Sequence, residues 1–327
     1  MADIADRPKK SVLTIGECMV SIELEPGRPL GYRQPARIGV AGAESTVAAA
    51  LARLGHDAIW CSALGDDELG GIVREALRAS GVDVVAARRD GQPTGMMVRE
   101  TGVLGNRVNY VRRGSAGATL RPEDLAPHVL SRADWIHSSG ITASISSETH
   151  ATLAWLVEQA AESRTPVSID VNLRQKLISP PEAKRRLEPL LRHAALVVAG
   201  VDETDAIWGG VAPQDRLGSA AERLAEVTRA PEIVVTDGAQ GSLVRAGGQT
   251  WRSGAVLTTV VDPVGAGDAY TGAYIAATLW GWPPAERLRC ASVVGAFAVS
   301  ALGDLDGLPD RERLLAALTQ GLADVER

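Results

Sequence analysis

Short apolar runs alternate along the chain with longer amphipathic stretches. The short runs are rich in Val, Ile and Leu and predict strands at residues 12–15, 58–62, 134–138, 167–171, 196–199 and 233–236. In the longer stretches apolar residues recur at helical spacing, which predicts helices at residues 43–54, 68–79, 147–162, 182–193 and 220–228. This alternation indicates an α/β protein with a mostly parallel sheet that is covered by helices on both faces.

Two segments interrupt the alternation of strands and helices. Residues 22–38 are rich in Gly, Pro and Arg. Residues 94–114 have the pattern of an extended hairpin, with strands at 96–100 and 107–112 on either side of a Leu104-Gly105-Asn106 turn. Both predict a small β insertion, at about residues 16–40 and 92–115, on a single domain that spans residues 1–327. We hypothesise that the insertion acts as a lid.

The composition fits a well-packed protein and argues against one class of partner. Of the 327 residues, 45% are hydrophobic and 23% are charged, so a large core can form and we do not expect global disorder. The net charge of -6 at pH 7 argues against nucleic acid, whose phosphates are bound mainly by Lys and Arg. The net charge does not exclude a small anionic substrate, because individual arginines near a site decide whether it binds.

The first residues and the cysteines bear on where the protein works. The start of the chain, MADIADRPKK, has no apolar stretch after its charges, as a secretory signal would have. No segment reaches the roughly 18 apolar residues that a membrane span needs. Cys18, Cys61 and Cys290 lie far apart in apolar surroundings, which is typical of buried reduced thiols. We therefore expect a cytoplasmic protein with no membrane partner.

A glycine-rich turn joins a β-branched run at residues 257–261, which predicts a strand, to a stretch of helix formers at 269–279. The turn reads Asp262-Pro263-Val264-Gly265-Ala266-Gly267-Asp268. Its glycines let backbone N–H groups converge at the helix N-terminus, where the dipole and the unpaired donors favour an anion such as phosphate. Asp268 fits two roles, a helix cap and a base that takes a hydroxyl proton beside a phosphoryl group. Both roles can hold at once.

Other common phosphate-binding motifs are absent from the sequence. The chain has no Gly-Lys dipeptide, which excludes a Walker A loop, and no H-R-D catalytic loop of a protein kinase. A dinucleotide-binding G-x-G-x-x-G is also missing, because Tyr270 stands where its last Gly should follow Gly265 and Gly267. The turn therefore handles its anion with backbone amides rather than with a lysine.

Residues 262–274, DPVGAGDAYTGAY, resemble the C-terminal signature of the PfkB, or ribokinase-like, carbohydrate kinases, and the order of elements is similar over nearly the whole chain. The resemblance implies a doubly wound α/β sheet with a small β-sheet lid. It implies an enzyme that transfers the γ-phosphoryl group of ATP to a sugar hydroxyl. The amides of Gly265, Ala266 and Gly267 would form the anion hole and contact ATP, and Asp268 would deprotonate the acceptor hydroxyl.

Residues 39–48 open the first predicted helix and resemble the family's G-G-A-x-x-N sugar-binding turn. Ala41 and Thr46 replace the first Gly and the Asn of that pattern. The resemblance implies sugar contact at Gly42 and Ala43. A helix start without any ligand would also explain the segment.

Two further stretches resemble 2-keto-3-deoxygluconate kinases within this family. Residues 109–116 are similar to their Y-x-R-x-G-S-A stretch, and residues 170–174 to their D-x-N-x-R, whose Arg binds the substrate carboxylate. The resemblance implies that Tyr110, Arg112 and Arg174 contact 2-keto-3-deoxygluconate, which would receive the phosphate at its 6-position. A guanidinium pairs bidentately with a carboxylate, and either arginine alone could also be a solvated surface charge.

The resemblance extends to a nucleotide site. Thr236, Gly238 and Gly241 lie in a loop that looks like the family's contact to the ribose and phosphates of ATP, and Ser292 stands where related enzymes often present an Asn to adenine. Glu203 occupies the Glu of the family's N-x-x-E, which implies a contact to Mg²⁺ through water. A tight turn after a buried strand would explain the glycines without a nucleotide.

Departures from the family pattern at Ala41, Thr46, Met97, Gly200 and Ser292 leave alternatives open. The protein could phosphorylate another sugar, of the fructose or ribose type, or it could be a sugar- or nucleotide-binding protein whose catalysis has decayed. An NAD-dependent oxidoreductase is disfavoured by the missing fingerprint. We expect ATP, Mg²⁺ and a sugar acid as partners of a homo-oligomer, and no nucleic acid.

Overall fold

The computed structural model of the protein describes residues 9–25, 27, 30–102, 105–125 and 127–320. Its strands are β1 (Ser11–Ile15), β2 (Met19–Leu24), β3 (Ala36–Ala41), β4 (Asp57–Gly65), β5 (Asp83–Arg89), β6 (Met96–Gly102), β7 (Gly105–Val111), β8 (Trp135–Ser139), β9 (Val167–Asp170), β10 (Leu196–Gly200), β11 (Glu232–Thr236), β12 (Ser242–Ala246) and β13 (Gln249–Ser253). Its α-helices are α1 (Ala43–Arg53), α2 (Glu68–Ala79), α3 (Pro127–Leu130), α4 (Thr142–Ile145), α5 (Ser147–Ser163), α6 (Pro180–Leu191), α7 (Val201–Trp208), α8 (Arg216–Thr228), α9 (Ala266–Leu279), α10 (Pro284–Val299) and α11 (Arg311–Gln320). None of the helices in these ranges is both long and apolar enough to cross a membrane.

The larger sheet has nine strands in the order β13-β12-β11-β10-β9-β8-β1-β4-β5. From β11 to β5 every neighbouring pair is parallel, and β12 and β13 add an antiparallel edge. This confirms the predicted mostly parallel sheet. The strands and helices predicted between residues 12 and 236 all form, with small differences at their ends.

Alternate residues of the buried strands point into two separate cores, because strand side chains alternate between the faces of a sheet. Val12 belongs to the core that α1, α9 and α10 cover, while its neighbour Leu13 belongs to the core under α5, α6 and α8. Both residues are completely buried. The sheet is therefore covered on both faces, and its central strands can be apolar throughout.

The chain runs from β1 through β4 to β5 on one side and then returns to β8 on the other side of β1. The sheet is therefore doubly wound, with a topological switch point between β1 and β8. At such a point the connections leave the carboxyl ends of the strands in opposite directions and open a crevice, where open α/β sheets bind their ligands. The topology thus places a site at this end of the sheet.

A second sheet has four strands in the order β3-β2-β6-β7. Its outer pairs are antiparallel, and β2 pairs with β6 in parallel. The strands occupy the segments predicted for the β insertion, with β3 running one residue further, to Ala41. The small sheet is thus confirmed, while its action as a lid and the single domain over residues 1–327 stay predictions.

The prediction of a strand at residues 257–261, directly before the glycine turn, is wrong. Residues 254–260 have no regular secondary structure, and Leu257 is 93% exposed. The chain is held here by Val261 and Asp262, whose N–H groups donate to the carbonyl of Val299 at 2.7 and 3.1 Å. β-propensity reflects pairing and burial against neighbours, and this segment pairs with no strand of the described residues.

The predicted hairpin forms, but its turn is displaced. Gly102 pairs with Gly105 and Thr101 with Asn106, so Gly105 and Asn106 belong to β7 rather than to the turn. The ladder continues through both glycines because antiparallel pairing uses only backbone groups. The prediction for Leu104 lies outside the described residues.

Helix α9 packs against α1 without room for a side chain at Gly272. A Cβ atom there would lie 2.8 Å from the Cβ of Ala50 and 3.0 Å from the carbonyl oxygen of Val47. We predict that Gly272→Ala lowers the free energy of unfolding by about 1–3 kcal/mol, because the overpacking outweighs the better helix propensity of alanine. Chemical unfolding of the purified protein measures this change.

Gly71 of α2 provides a matched control, since it is exposed and a Cβ there meets no heavy atom within 4 Å. Gly71→Ala should raise the free energy of unfolding by up to about 1 kcal/mol. If both substitutions stabilise the protein, the close approach of α1 and α9 does not depend on Gly272.

Candidate active site

A cleft of about 560 Å³ opens at the carboxyl ends of β9, β10 and β11 and is flanked by β7 and by the glycine turn before α9. The predicted site residues that line it are Tyr110, Arg174, Glu203, Thr236, Gly265, Gly267 and Asp268. The predicted residues outside its lining are Gly42, Ala43, Arg112, Gly238, Gly241, Ala266 and Ser292. Residues predicted for the base, the acceptor and the nucleotide therefore meet in one cleft.

The glycine turn presents backbone amides to this cleft. Gly265 is the N-cap of α9 and has φ 77°, a left-handed conformation that glycine adopts without strain. The first N–H groups of α9, from Ala266 to Asp268, cannot bond within the helix. A Cβ at Gly267 would meet no heavy atom within 4 Å, so the backbone there is open to the cleft. These donors at the positive end of the helix dipole can bind an anion.

Asp268 lies in the same turn of α9 and is only 9% exposed. Burial raises the pKa of its carboxyl from an ordinary 3.8 to about 7, against the opposing field of the Arg174 guanidinium. The charges of Glu44 and Glu203 add to the rise in the pKa, and a hydrogen bond from Asn172 reduces it. A carboxyl that titrates near neutral pH can take a proton and release it again, which suits a general base.

Asn172 orients the Asp268 carboxylate. Its Nδ2 donates to Oδ1 of Asp268 at 3.1 Å, and its backbone N–H donates to Oδ1 of Asp170 at 3.1 Å. Asn172 has φ 38°, a region that few residues other than glycine adopt, so this contact is built at some cost in backbone strain. The side-chain bond thus holds the Asp268 carboxylate beside the segment that follows β9.

One arginine of the cleft is free to meet a ligand. Arg174 is exposed and shares the cleft with the carboxylates of Asp170, Glu203 and Asp268. Burial is the main cause that raises the pKa values of Asp170 and Glu203, and the field of Arg174 lowers both. No described residue forms a hydrogen bond or an ion pair with the Arg174 guanidinium. It can therefore pair with a negatively charged ligand.

Arg112, by contrast, is already paired. It is 8% exposed, and its guanidinium forms an ion pair with Glu17. Ser115 donates a second hydrogen bond to the Glu17 carboxylate, and the Arg112 guanidinium also lies 5.7 Å from the ring centre of Tyr110. The positive charge of Arg112 is thus balanced by Glu17 within the protein, whereas the guanidinium of Arg174 has no such partner among the described residues.

Packing within the protein accounts for the small residues at the start of α1. Gly42 is the N-cap of α1, and a Cβ there would lie 2.3 Å from the carbonyl oxygen of Glu17. Ala43 is 6% exposed. The need for glycine at position 42 therefore follows from packing alone, and the contact of Gly42 and Ala43 with a sugar stays a prediction.

Glu44, in the first turn of α1, is a completely buried carboxyl group. Its Oε1 accepts hydrogen bonds from the hydroxyl groups of Ser139 and Thr142 at 2.6 and 2.7 Å. Burial raises the pKa of Glu44. Room for it exists because residue 16 is glycine, where a Cβ would lie 2.2 Å from the carboxyl carbon of Glu44. This group joins the ends of β1 and β8 at the switch point.

The predicted nucleotide residues lie at the end of β11, in the loop that follows it and on α10. Thr236 ends β11, and Gly238 and Gly241 follow with φ 52° and 95°. A Cβ at Gly241 would lie 2.2 Å from the carbonyl oxygen of Ser253, whose hydroxyl accepts a hydrogen bond from Ser292 at 3.4 Å. Gly241 and Ser292 thus meet at Ser253, although they are far apart in sequence.

Glu203 is the predicted contact to a metal. Its Oε2 accepts the N–H of Gly200 at 2.9 Å, and the residue lines the cleft. Within the described ranges no group of three or more His, Cys, Asp or Glu side chains is placed to hold a metal ion. A single carboxylate such as Glu203 fits Mg²⁺, which keeps several waters and is usually bound through substrate phosphates and one or two carboxylates.

Asn172 and Lys176 are residues of the cleft that sequence reasoning missed. Asn172 stands in the D-x-N-x-R run from which only Arg174 was selected. Lys176 donates from Nζ to the carbonyl of Val108 at 3.0 Å and so ties the segment after β9 to β7. With only four lysines in the chain, one directly after that run was a signal that could have been used.

A carboxylate base beside a cradle of helix N-terminal amides is the arrangement of an enzyme that transfers a phosphoryl group to a hydroxyl. The pfkB family of carbohydrate kinases matches residues 9–311. The chain therefore belongs to the pfkB family of carbohydrate kinases, and it is an enzyme that phosphorylates a carbohydrate hydroxyl.

Individual relatives agree with the family. The chain is 32% identical over 317 residues to the 2-dehydro-3-deoxygalactonokinase of Haloferax volcanii, across 95% of this chain and 98% of the relative. It is also 32% identical over 317 residues to the 2-dehydro-3-deoxygluconokinase of Thermoproteus tenax, across 94% and 95% of the two chains. The crystal structure of a PfkB protein from Polaromonas sp. JS666 is similar with a TM-score of 0.82 and 29% identity, across 94% of this chain and 100% of that one.

The substitution Asp268→Asn tests the raised pKa of the buried Asp268 carboxyl through its effect on the free energy of unfolding. Because the folded-state pKa of about 7 lies above the ordinary 3.8, the unfolded chain releases this proton first, and wild-type stability falls as the pH rises from 3.8 to about 7. Asparagine does not titrate, so the variant lacks that loss. Across this range the variant should gain on the order of 4 kcal/mol in free energy of unfolding relative to the wild type.

Chemical unfolding of both proteins at about pH 5 and about pH 8 measures the part of this gain that falls between those pH values, on the order of 3 kcal/mol. A difference in stability that is the same at both pH values would show that the carboxyl of Asp268 titrates in the folded protein as it does in the unfolded chain.

Proposed function

We propose that this kinase transfers the γ-phosphoryl group of ATP to a hydroxyl of a sugar acid, with 2-keto-3-deoxygluconate, converted to its 6-phosphate, as the substrate. One observation carries the proposal: the unpaired Arg174 guanidinium lies in the same cleft as Asp268 and the glycine turn. A carboxylate bound to Arg174 would leave the rest of the sugar to reach Asp268. The names of the two relatives from Haloferax and Thermoproteus support the same substrate class.

Asp268 acts as the base in this proposal. It takes the proton from the acceptor hydroxyl as the new O–P bond forms and the bond to ADP breaks. Its pKa of about 7 keeps a large fraction ionised at neutral pH and still gives the carboxylate enough affinity for a proton. The hydrogen bond from Asn172 fixes which oxygen faces the substrate.

The amides of Gly265, Ala266 and Gly267 stabilise the charge on the transferring phosphoryl group. They are fixed before the reaction begins, because Gly265 caps α9 and the turn is anchored by Asp262. Fixed donors need no reorganisation in the transition state, which is why such donors contribute strongly to catalysis.

ATP lies along the ends of β10 and β11 in this proposal. Its ribose and phosphates contact Thr236, Gly238 and Gly241, and its base lies near Ser292. Glu203 would contact the Mg²⁺ that accompanies ATP through water, and that ion would draw charge from the phosphates. The open backbone at Gly238, where a Cβ meets no atom within 4 Å, supports a close approach of the nucleotide.

The acceptor lies between the body and the small sheet. Tyr110 reaches the cleft from β7, while the other predicted sugar contacts, Gly42, Ala43 and Arg112, lie outside the lining of the cleft. Seating of the small sheet over the cleft would exclude water and limit wasteful hydrolysis of ATP.

A kinase for a neutral sugar, of the fructose or ribose type, is the second candidate. The pairing of Arg112 with Glu17 favours it, because only one of the two arginines predicted to contact a sugar acid is then unpaired. Met97, buried on β6, lacks the hydroxyl that a substrate-contacting Tyr would supply at that position.

A coupled ADP-release assay across sugar acids and neutral sugars tests the function. We predict the highest kcat/KM for 2-keto-3-deoxygluconate and a loss of kcat of about 100- to 10,000-fold in Asp268→Asn, which removes the base. Activity that is highest on fructose or ribose would establish the second candidate. ATP binding without turnover on any acceptor would identify a decayed, binding protein.

The substitution Arg174→Ala tests whether Arg174 recognises the carboxylate of the substrate. If Arg174 pairs with the carboxylate, KM for sugar acids should rise about 10- to 100-fold, the size expected for lost hydrogen bonds to a charged group, with little change for neutral sugars. Arg78→Ala, at an exposed arginine of α2, is the control and should leave both KM values unchanged. Equal rises for acids and neutral sugars would make Arg174 a structural residue.

We also propose that the protein works in the cytoplasm and as a homo-oligomer. Its three cysteines are buried and unpaired, which suits a reducing compartment. Tyr32, Ile38 and Val111 place exposed apolar surface on or beside the small sheet, at 94%, 66% and 59% exposure, and such surface is a common feature of subunit contacts.

A further inference from the structure

A buried arginine of the small sheet reaches the catalytic turn. Arg99 lies on β6 and is 4% exposed. Its guanidinium contacts Asp262 through Nη2 and lies 3.0 Å from Oδ1 of Asp304 and 3.5 Å from Oε1 of Glu23 through Nη1. Asp262 begins the glycine turn, so a residue from another sheet contacts the turn that carries the proposed anion hole.

Asp262 shapes the turn from the inside. It is completely buried, its Oδ1 accepts the N–H of Val264 at 3.1 Å, and its Oδ2 accepts the N–H of Gly303 at 3.3 Å. These bonds fix the backbone directly before Gly265. With its second oxygen also bound by Arg99, the carboxylate has little freedom to rotate.

Asp304 supports the same turn from the other side. If Gly265 carried a Cβ, that atom would lie 3.2 Å from the Cα, Cβ and Cγ of Asp304, so the two backbones are in close contact. Arg99 holds the Asp304 carboxylate in this position. The guanidinium therefore bridges the two carboxylates that lie on either side of Gly265.

The charge of this group depends on Arg99. One guanidinium faces the carboxyl groups of Asp262, Asp304 and Glu23. Burial raises the pKa of Asp304 to about 7 and also raises the pKa of Glu23, and the field of Arg99 opposes both rises. Without the guanidinium the carboxylates would repel one another next to the turn.

We propose that Arg99 is a positioning residue for phosphoryl transfer: by bridging Asp262 and Asp304 it holds the Gly265 turn, and with it the anion-hole amides, in the reactive geometry. The inference rests on the proposed anion hole. Because β6 belongs to the small sheet, which also carries Tyr110 into the cleft, the sheet that contacts the acceptor also supports the donor side of the reaction.

Arg99→Lys is the test, since it keeps the positive charge in place. A lysine presents a single point charge and cannot offer separate N–H pairs to two carboxylates, so the turn should loosen while the protein folds. The amides act on the transferring group mainly in the transition state. We therefore expect kcat to fall about 10- to 100-fold, with KM for the acceptor and for ATP changing less than about 3-fold.

Arg89→Lys is the matched control. Arg89 lies on β5 and forms a largely buried ion pair with Asp124, with side chains 19% and 11% exposed, away from the glycine turn. It should lose comparable stability and keep the wild-type kcat. An unchanged kcat in Arg99→Lys, or an equal loss of kcat in both variants, would overturn the proposal.

Chemical rescue separates positioning from folding. In Arg99→Ala, added guanidinium ion can enter the vacated space beside Asp262 and Asp304 and should restore part of kcat, with no effect on Arg89→Ala. Rescue that is absent from a folded Arg99→Ala would count against the proposal. A wild-type protein inactive on every acceptor would refute the proposed function itself, whereas an active wild type with a fully active Arg99→Lys refutes only the role of Arg99.

Discussion

One turn at the N-terminus of α9 brings together the Asp268 carboxylate and the backbone amides that can bind an anion, and the rest of the site is arranged around it. Asp268 lies there because the first turn of a helix favours a carboxylate, and the same turn offers amides that favour a phosphate. Burial of Asp268, together with the nearby charges of Glu44 and Glu203, holds its pKa near 7. The carboxylate can then accept a proton instead of serving only as a cap.

The architecture supplies this turn with its neighbours. Parallel strands end on one side of the sheet, so residues that follow β9, β10 and β11 converge although their connections are long. The small sheet adds contacts that no strand end could provide, through Lys176 to Val108 and through Arg99 to the turn. These polar side chains thus link the two sheets at the site, while Val20 and Val40 of the small sheet join the apolar core beneath the large one.

Sequence predicted those features that depend on local pattern. The apolar runs of the central strands are long and buried on both faces, so they were recognised, as was the glycine turn with its helix. Leu257 and its neighbours have strand propensity but pair with no strand among the described residues, and pairing is a property of the whole sheet. The roles of Asn172 and of the Arg112–Glu17 pair were not predicted for the same reason. They arise from contacts between residues 96 and 95 positions apart in the chain, which only the fold brings together.

The charge balance of the cleft constrains how such a kinase can work. A sugar acid and ATP both bring negative charge to a site that already holds Asp170, Glu203 and Asp268, and each added anion would raise the pKa of the base and favour its protonated form. Groups that oppose that rise include Arg174, the hydrogen bond from Asn172, the amides of α9 and the ion that accompanies ATP. A neutral sugar would place no such demand on Arg174. The exposed Arg174 guanidinium beside these carboxyl groups is the feature on which the proposed acidic acceptor depends.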